Sequence, residues 1–239
     1  MTSSFASIDP PKVVNHPRLP PQRLARAVEL VTLFIGIPLL LTLLAGRVNP
    51  LPVLAAVLVI VGIHLYRDPT FDRSVILRRD DFVRLFVRSI LPLYLAGWLL
   101  LGAILWLYEP RLLFAFPRQA PHIWAIVMVG YPIASVVPQT VLYRGFFFHR
   151  YRPLLGNGWT MVLVAALVFA FGHIIFRSWV AIALTTVGGL LFSWRYRQTN
   201  SLLISAIEHA LFGQMVFTLG YGVFLYHGSV RAAQTLAGQ

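Results

Sequence analysis

The chain has 239 residues, of which 58% are hydrophobic and 12% charged, a composition that leaves too little polar surface to cover a soluble globule and points to a membrane protein. The formal charge of +12 does not call for nucleic acid, because the basic residues cluster in short loops between apolar runs, where anionic lipid headgroups account for them. The lack of any cysteine excludes disulfides, thiolate catalysis and palmitoylation.

In chain order, residues 1–26, containing "PPKVVNHPRLPPQR", read as a Pro-rich cytoplasmic arm without the apolar core of a cleavable signal sequence. Apolar runs of spanning length follow at 27–46, 51–66, 90–108, 122–143, 158–176, 179–194 and 201–226. The expected fold is all-α, a polytopic bundle of about seven or eight spans, because the last run reads as one kinked helix or two half-helices. With the N-terminus inside, the inner segments carry 15 Lys and Arg and the outer ones 5, which places that terminus in the cytoplasm, as at a bacterial inner membrane. The expected divisions are the arm at 1–26, N-terminal spans at 27–121, a core at 122–227 and a tail at 228–239.

"RDPTFDRSVILRRDDFVRLFVRSI" (67–90) reads as an amphipathic helix on the inner surface, with Phe82, Leu85 and Phe86 on one side. Pro132 and Pro138 bend the fourth span. That helix continues to about Arg152, turns at "PLLGNG" (153–158), and the next span returns antiparallel from Trp159. Gln139 and His173 then lie at similar distances from the turn, Arg144 somewhat nearer to it, and His209 enters at roughly the depth of Arg144.

An ionisable side chain in hydrocarbon costs about 2.5–3.5 kcal/mol on the insertion scale. Within the spans Glu29, Arg144, His173, Glu208 and His209 therefore need a reason. Glu29 is close enough to the interface to reach it, His149 reads as a headgroup contact, and snorkelling competes with a buried role for Arg144. A shared site is the stronger reading for the arginine and the two later histidines. No H-E-x-x-H pattern and no G-x-S-x-G turn occurs, and all five Asp residues lie in the arm or the 67–90 segment. What remains is water activation by a glutamate or a histidine. No cofactor is expected; a zinc site made by His173, His209 and Glu208 is an alternative without a short-spaced ligand pair to support it.

"QTVLYRGFF" (139–147), "FAFGH" (169–173) and "GGLLFSWRYRQTNSLLISAIEHALFG" (188–213) resemble, in order and spacing, the three motifs of the CAAX prenyl endopeptidase and bacteriocin-immunity (Abi, CPBP) family of intramembrane proteases. The resemblance covers roughly residues 125–220. It implies a helical-bundle peptidase that cleaves prenylated or other membrane-associated peptides, with a glutamate and the second-motif histidine activating water and the last histidine and an asparagine holding the oxyanion. By position, Arg144 matches the first-motif arginine, His173 the second-motif histidine and His209 the third-motif histidine, with Phe169 and Gly213 as substrate-binding positions.

Gln139 and Thr140 stand where the resemblance expects paired glutamates, and Gly213 where it expects the asparagine. Neither Gln nor Thr takes a proton from water near neutral pH. Glu208 is the acidic residue left at depth, and either pairs with Arg144, the favoured reading, or supplies the missing base. The expected partners are membrane lipids and a hydrophobic or lipidated peptide. The function is an endopeptidase-like one, the alternative being a pseudoprotease that binds such peptides without cutting them.

Overall fold

The computed structural model describes residues 20–44 and 48–225, so the expected end arms fall largely outside the described residues. The described chain is helical. Six helices are long and apolar enough to cross a membrane: α1 (Gln22–Leu43), α2 (Pro50–Arg67), α3 (Phe82–Tyr108), α4 (Pro121–Leu155), α5 (Trp159–Phe176) and, after one further helix, α7 (Leu202–Leu219). The further helix, α6 (Trp179–Thr199), is the expected span at 179–194, and its 21 residues reach about 32 Å. Its threonines, serine and terminal arginines make it more polar than the other six. The final run is one helix, ended at Gly220 with φ 123°, followed by a single turn at Gly222–Leu225.

Proline placement shapes the spans. In α1, α3 and α4, Pro38, Pro92 and Pro138 each sit two residues beyond a π-turn, at Thr32–Gly36, Phe86–Ile90 and Pro132–Val136. A proline lacks the N–H that would bond four residues back, and its ring crowds that carbonyl. The widened turn relieves both problems: Ile37, Leu91 and Val137 donate instead to the carbonyl five residues back, on Thr32, Phe86 and Pro132. A fourth π-turn, Val141–Phe146, contains Arg144 and has no such proline behind it. Such turns are frequent at functional sites.

The segment at 67–90 departs from the expectation of one amphipathic helix: residues 68–81 form a loop with a short 3₁₀ turn at Arg73–Ile76, and Phe82 opens α3. Local side-chain bonds outcompete the helix here. Asp68 accepts from the Thr70 amide at 2.8 Å and hydroxyl at 2.6 Å, Asp72 accepts from the Ser74 amide at 3.0 Å, and Asp81 is left-handed with φ 52°.

This loop meets the other basic loops at one end of the bundle. His149 bonds Asp68 at 2.8 Å, Ser201 donates to the Arg78 carbonyl, and Arg197 donates to the Asn157 carbonyl at 2.9 Å. His149 is therefore a latch on the loop rather than the expected headgroup contact. Glu29 is likewise engaged inside the protein, accepting a two-pronged bond from Arg150 at 2.9 and 2.6 Å and one from Tyr151 at 3.1 Å.

The Thr70 hydroxyl, and next His149, hold the Asp68 carboxyl well below the usual carboxylate range. A depressed folded-state value means that the stabilisation is complete above the unfolded value of about 4 and is lost as pH falls below it. Asp68→Asn should therefore lower Tm by a few degrees between pH 5 and 7. The gap to the native protein should narrow steadily in unfolding curves taken below pH 4, and a gap that does not change with pH would contradict the latch.

The core is aromatic around α1, α4 and α5, where Phe34 packs edge-on against Tyr143, Phe147 and Tyr151. Helices α5 and α6 meet backbone to backbone at Gly189, where a Cβ would lie 3.0 Å from both the Ala166 Cα and its carbonyl oxygen. Small residues are what let helix backbones meet where lipid supplies no hydrophobic drive.

Candidate functional site

Two tight helical hairpins assemble the site. In the first, α4 ends at Leu155 and α5 begins at Trp159. Arg144 lies 12 residues before Gly156 and Phe169 lies 11 after Gly158, so both are about 17 Å from the turn. In the second, α6 closes through left-handed Asn200 (φ 49°), and Ser201 caps α7 by accepting from the Ile204 amide at 3.1 Å. Phe192 lies 8 residues before Asn200 and His209 lies 8 after Ser201, again at matching depth.

These four residues meet. The Arg144 guanidinium lies 4.5 Å from the Phe169 ring centre and 5.6 Å from that of Phe192. The His209 ring stacks on Phe192 with centroids 4.6 Å apart and 21° between planes, and stands edge-on to Phe169 at 5.5 Å. His173 also touches Phe169, at 4.8 Å. Phe169, 1% exposed, is thus the common wall of the arginine and both histidines. It is buried among them.

The two histidines are held differently. His173 is half-buried, and its Nδ1 lies 2.7 Å from the Phe169 carbonyl oxygen. A carbonyl only accepts, so Nδ1 carries the proton and Nε2 keeps its lone pair. His209 is buried, with Nε2 3.3 Å from the Tyr131 hydroxyl and Nδ1 without a partner among the described residues.

Tyr131 reaches that position because residue 213 is glycine. A Cβ on Gly213 would come within 2.2 Å of the Tyr131 hydroxyl oxygen, so the phenol occupies the space a side chain there would need. The first half of α4 is fixed against α7 by Gln214 donating to the Met128 carbonyl at 2.7 Å and Trp124 donating to the Thr218 hydroxyl at 3.1 Å. Tyr131 was not evident from sequence, since an aromatic in a membrane helix is ordinary and its relation to Gly213 exists only in three dimensions.

Gln139 and Thr140 are buried one turn before Arg144. The Gln139 amide donates to the Ser135 hydroxyl at 2.8 Å, while its Oε1 and the Thr140 hydroxyl have no partner among the described residues. Glu208 corrects the expected pairing with Arg144. It is gripped instead by Arg195, whose Nε and one terminal nitrogen meet its two oxygens at 3.0 and 2.9 Å, with both side chains buried. Arg195 also donates to the Ser89 hydroxyl at 2.9 Å, tying α3 to the pair.

The register explains the choice. Arg195 is 5 residues before Asn200 and Glu208 is 8 after it, an offset of about 4.5 Å along the hairpin that a long arginine side chain covers. Glu208 adjoins His209 in sequence but turns about 100° away from it. Among the described residues no three His, Cys, Asp or Glu side chains gather as a metal would require, and both Glu208 oxygens are already engaged.

Residues 121–215 match the family model described as type II CAAX prenyl endopeptidase, Rce1-like. This stretch is a CAAX-protease-family domain. Its limits include all of α4 and α5, α6, and α7 as far as Met215, and therefore every residue of the cluster around Phe169. No curated protein and no solved structure matches the chain. The apolar helices and the CAAX-protease domain together make this an integral membrane protein with a protease-like core.

Proposed function

We propose that the protein engages membrane-associated or lipidated peptides through its CAAX-protease domain and holds them without efficient cleavage. The observation that carries this reading is the fate of the carboxylates. Positions 139 and 140 hold an amide and a hydroxyl, and Glu208 is committed to Arg195 through both oxygens. General-base catalysis contributes about 10²–10⁴-fold when a group of suitable basicity is within reach of the water. No carboxylate among the described residues at the cluster is free for that role. What persists is a frame for binding: an arginine, two histidines and an aromatic wall inside a bundle that lipid-borne ligands reach from the membrane.

The fixed tautomer of His173 favours a second reading, in which its free Nε2 takes the water's proton unaided and slow hydrolysis survives. In either case the basic loops face the cytoplasmic side of a bacterial inner membrane, with lipid headgroups as their partners. Neither reading involves a metal or nucleic acid.

Incubating the purified protein with fluorophore-labelled hydrophobic and prenylated peptides in lipid nanodiscs separates these readings. Saturable binding with cleavage at the background of an empty nanodisc is expected. Cleavage above background that vanishes in His173→Ala would select histidine-only hydrolysis, and an absence of saturable binding would overturn both.

A further inference from the structure

Arg144 is 0% exposed, and its Nε and both terminal nitrogens have no hydrogen-bond partner among the described residues. A guanidinium offers five N–H donors in a rigid fork. Its contacts with Phe169 and Phe192 are cation–π in kind, weaker than the cost of stranding a buried charge. The buried carboxylate of α7, Glu208, belongs to Arg195. The imbalance calls for an anion beyond those the described residues supply.

Other buried side chains of α4, α6 and α7 share this condition. Gln139 Oε1, the hydroxyls of Thr140 and Ser193, and His209 Nδ1 are buried and unpartnered among the described residues. Gln139 and Thr140 precede the π-turn that holds Arg144, five and four residues before it, about one turn away along α4. Ser193 follows Phe192, and His209 stacks on it. The Arg144 nitrogens are donors only, the two hydroxyls donate or accept, and the amide oxygen accepts. A core that is fully satisfied by itself has no such gathering of idle polar atoms.

We propose that Arg144 is the anchor of a binding site for a carboxylate carried on an apolar molecule. A carboxylate matches the guanidinium fork with two parallel bonds. Its single negative charge balances the single arginine, while a phosphate monoester would leave excess charge in a nonpolar interior. The Thr140 hydroxyl, one turn before Arg144, supplies a further donor to the anion, and Gln139 Oε1 accepts from an N–H near the carboxylate if the ligand has one. Half-buried His173, in contact with Phe169, marks the edge from which the ligand enters. Two sources carry this chemistry, the C-terminus of a hydrophobic peptide and a free fatty acid. The first deepens the peptide-holding reading and rests on it; the second does not.

Binding to full-length protein in nanodiscs tests the site with two matched sets of probes. One set is dodecanoate, dodecanamide and dodecyl phosphate; the other is a hydrophobic peptide with a free or an amidated C-terminus. Each acid is expected to bind at least tenfold more tightly than its amide and to raise Tm, with dodecyl phosphate weaker than dodecanoate. Arg144→Met should abolish the preference and Arg144→Lys should keep part of it. Arg144→Met removes a stranded charge at similar volume, so it should fold, and the acid-to-amide ratio on the native chain decides the matter even if it does not.

Equal binding of acid and amide, a preference that survives Arg144→Met, or tighter binding of the phosphate would each overturn the proposal. Peptides that bind equally in both forms would sink this inference and leave peptide holding intact. Discrimination between dodecanoate and its amide with no peptide binding would do the reverse.

Discussion

Glu208→Ala should fail to give a stably folded protein. The substitution leaves the Arg195 guanidinium buried at 1% side-chain exposure, with the Ser89 hydroxyl and a longer 3.4 Å bond to Gln198 as its remaining hydrogen-bond partners among the described residues. Breaking a buried pair from one side costs about 3–5 kcal/mol, a large fraction of the total stability of an ordinary domain. The pair also joins α6 to α7 and, through Ser89, to α3, so its loss frees the helix that carries His209. Aggregation on size exclusion in detergent, or a Tm lowered by ten degrees or more, is expected.

The complementary double variant, Arg195→Met with Glu208→Leu, should recover most of the lost stability, because replacing both partners by apolar groups of similar volume removes the stranded charge. A normal Tm for Glu208→Ala would show that the pair is dispensable. Failure of the double variant to recover would assign it a role beyond charge balance. Arg144→Met provides a contrast within the same bundle: it removes a buried charge that has no hydrogen-bond partner among the described residues and should not destabilise.

The sequence made the helices legible because period and length suffice for apolar spans, and Pro138 with the "PLLGNG" turn fixed the depth of Arg144 against α5. Equal spacing about two short turns is enough to bring Arg144, Phe169 and His209 to one level, and this required only the rise per residue. The partner of Glu208 was not legible in the same way. Arg195 lies among basic residues next to a turn, where a charge ordinarily serves the headgroups, and its inward rotation depends on the packing of α6 between α5 and α7. The loop at 68–81 misled for a related reason. Its apolar spacing is helical, but Asp68 and Asp72 bond the amides two residues ahead and end the helix before periodicity can act. Tyr131 was hidden because the space it fills is defined by a missing side chain on another helix.

On the proposed reading, glutamates at positions 139 and 140 should turn the frame into an efficient peptidase, and the two positions should contribute differently. Thr140→Glu places an acid four residues before Arg144, where side chains on a helix meet. It should pair with the stranded guanidinium and raise Tm without producing turnover by itself. Gln139→Glu supplies the base, and Ser135, which now receives a bond from the Gln139 amide at 2.8 Å, is placed to donate to the new carboxylate. The double variant should cleave a hydrophobic peptide at least 100-fold faster than the native chain, the lower end of what a positioned general base contributes. His173→Ala should abolish that gain. Tyr131→Phe in the same background should reduce it about tenfold, because the hydroxyl beside His209 is the donor available at Gly213 for a developing oxyanion. If the double variant folds, binds peptide and remains silent, the missing carboxylates are not what limits this site, and the cause must lie in access or in the closed packing of Arg144 on Phe169.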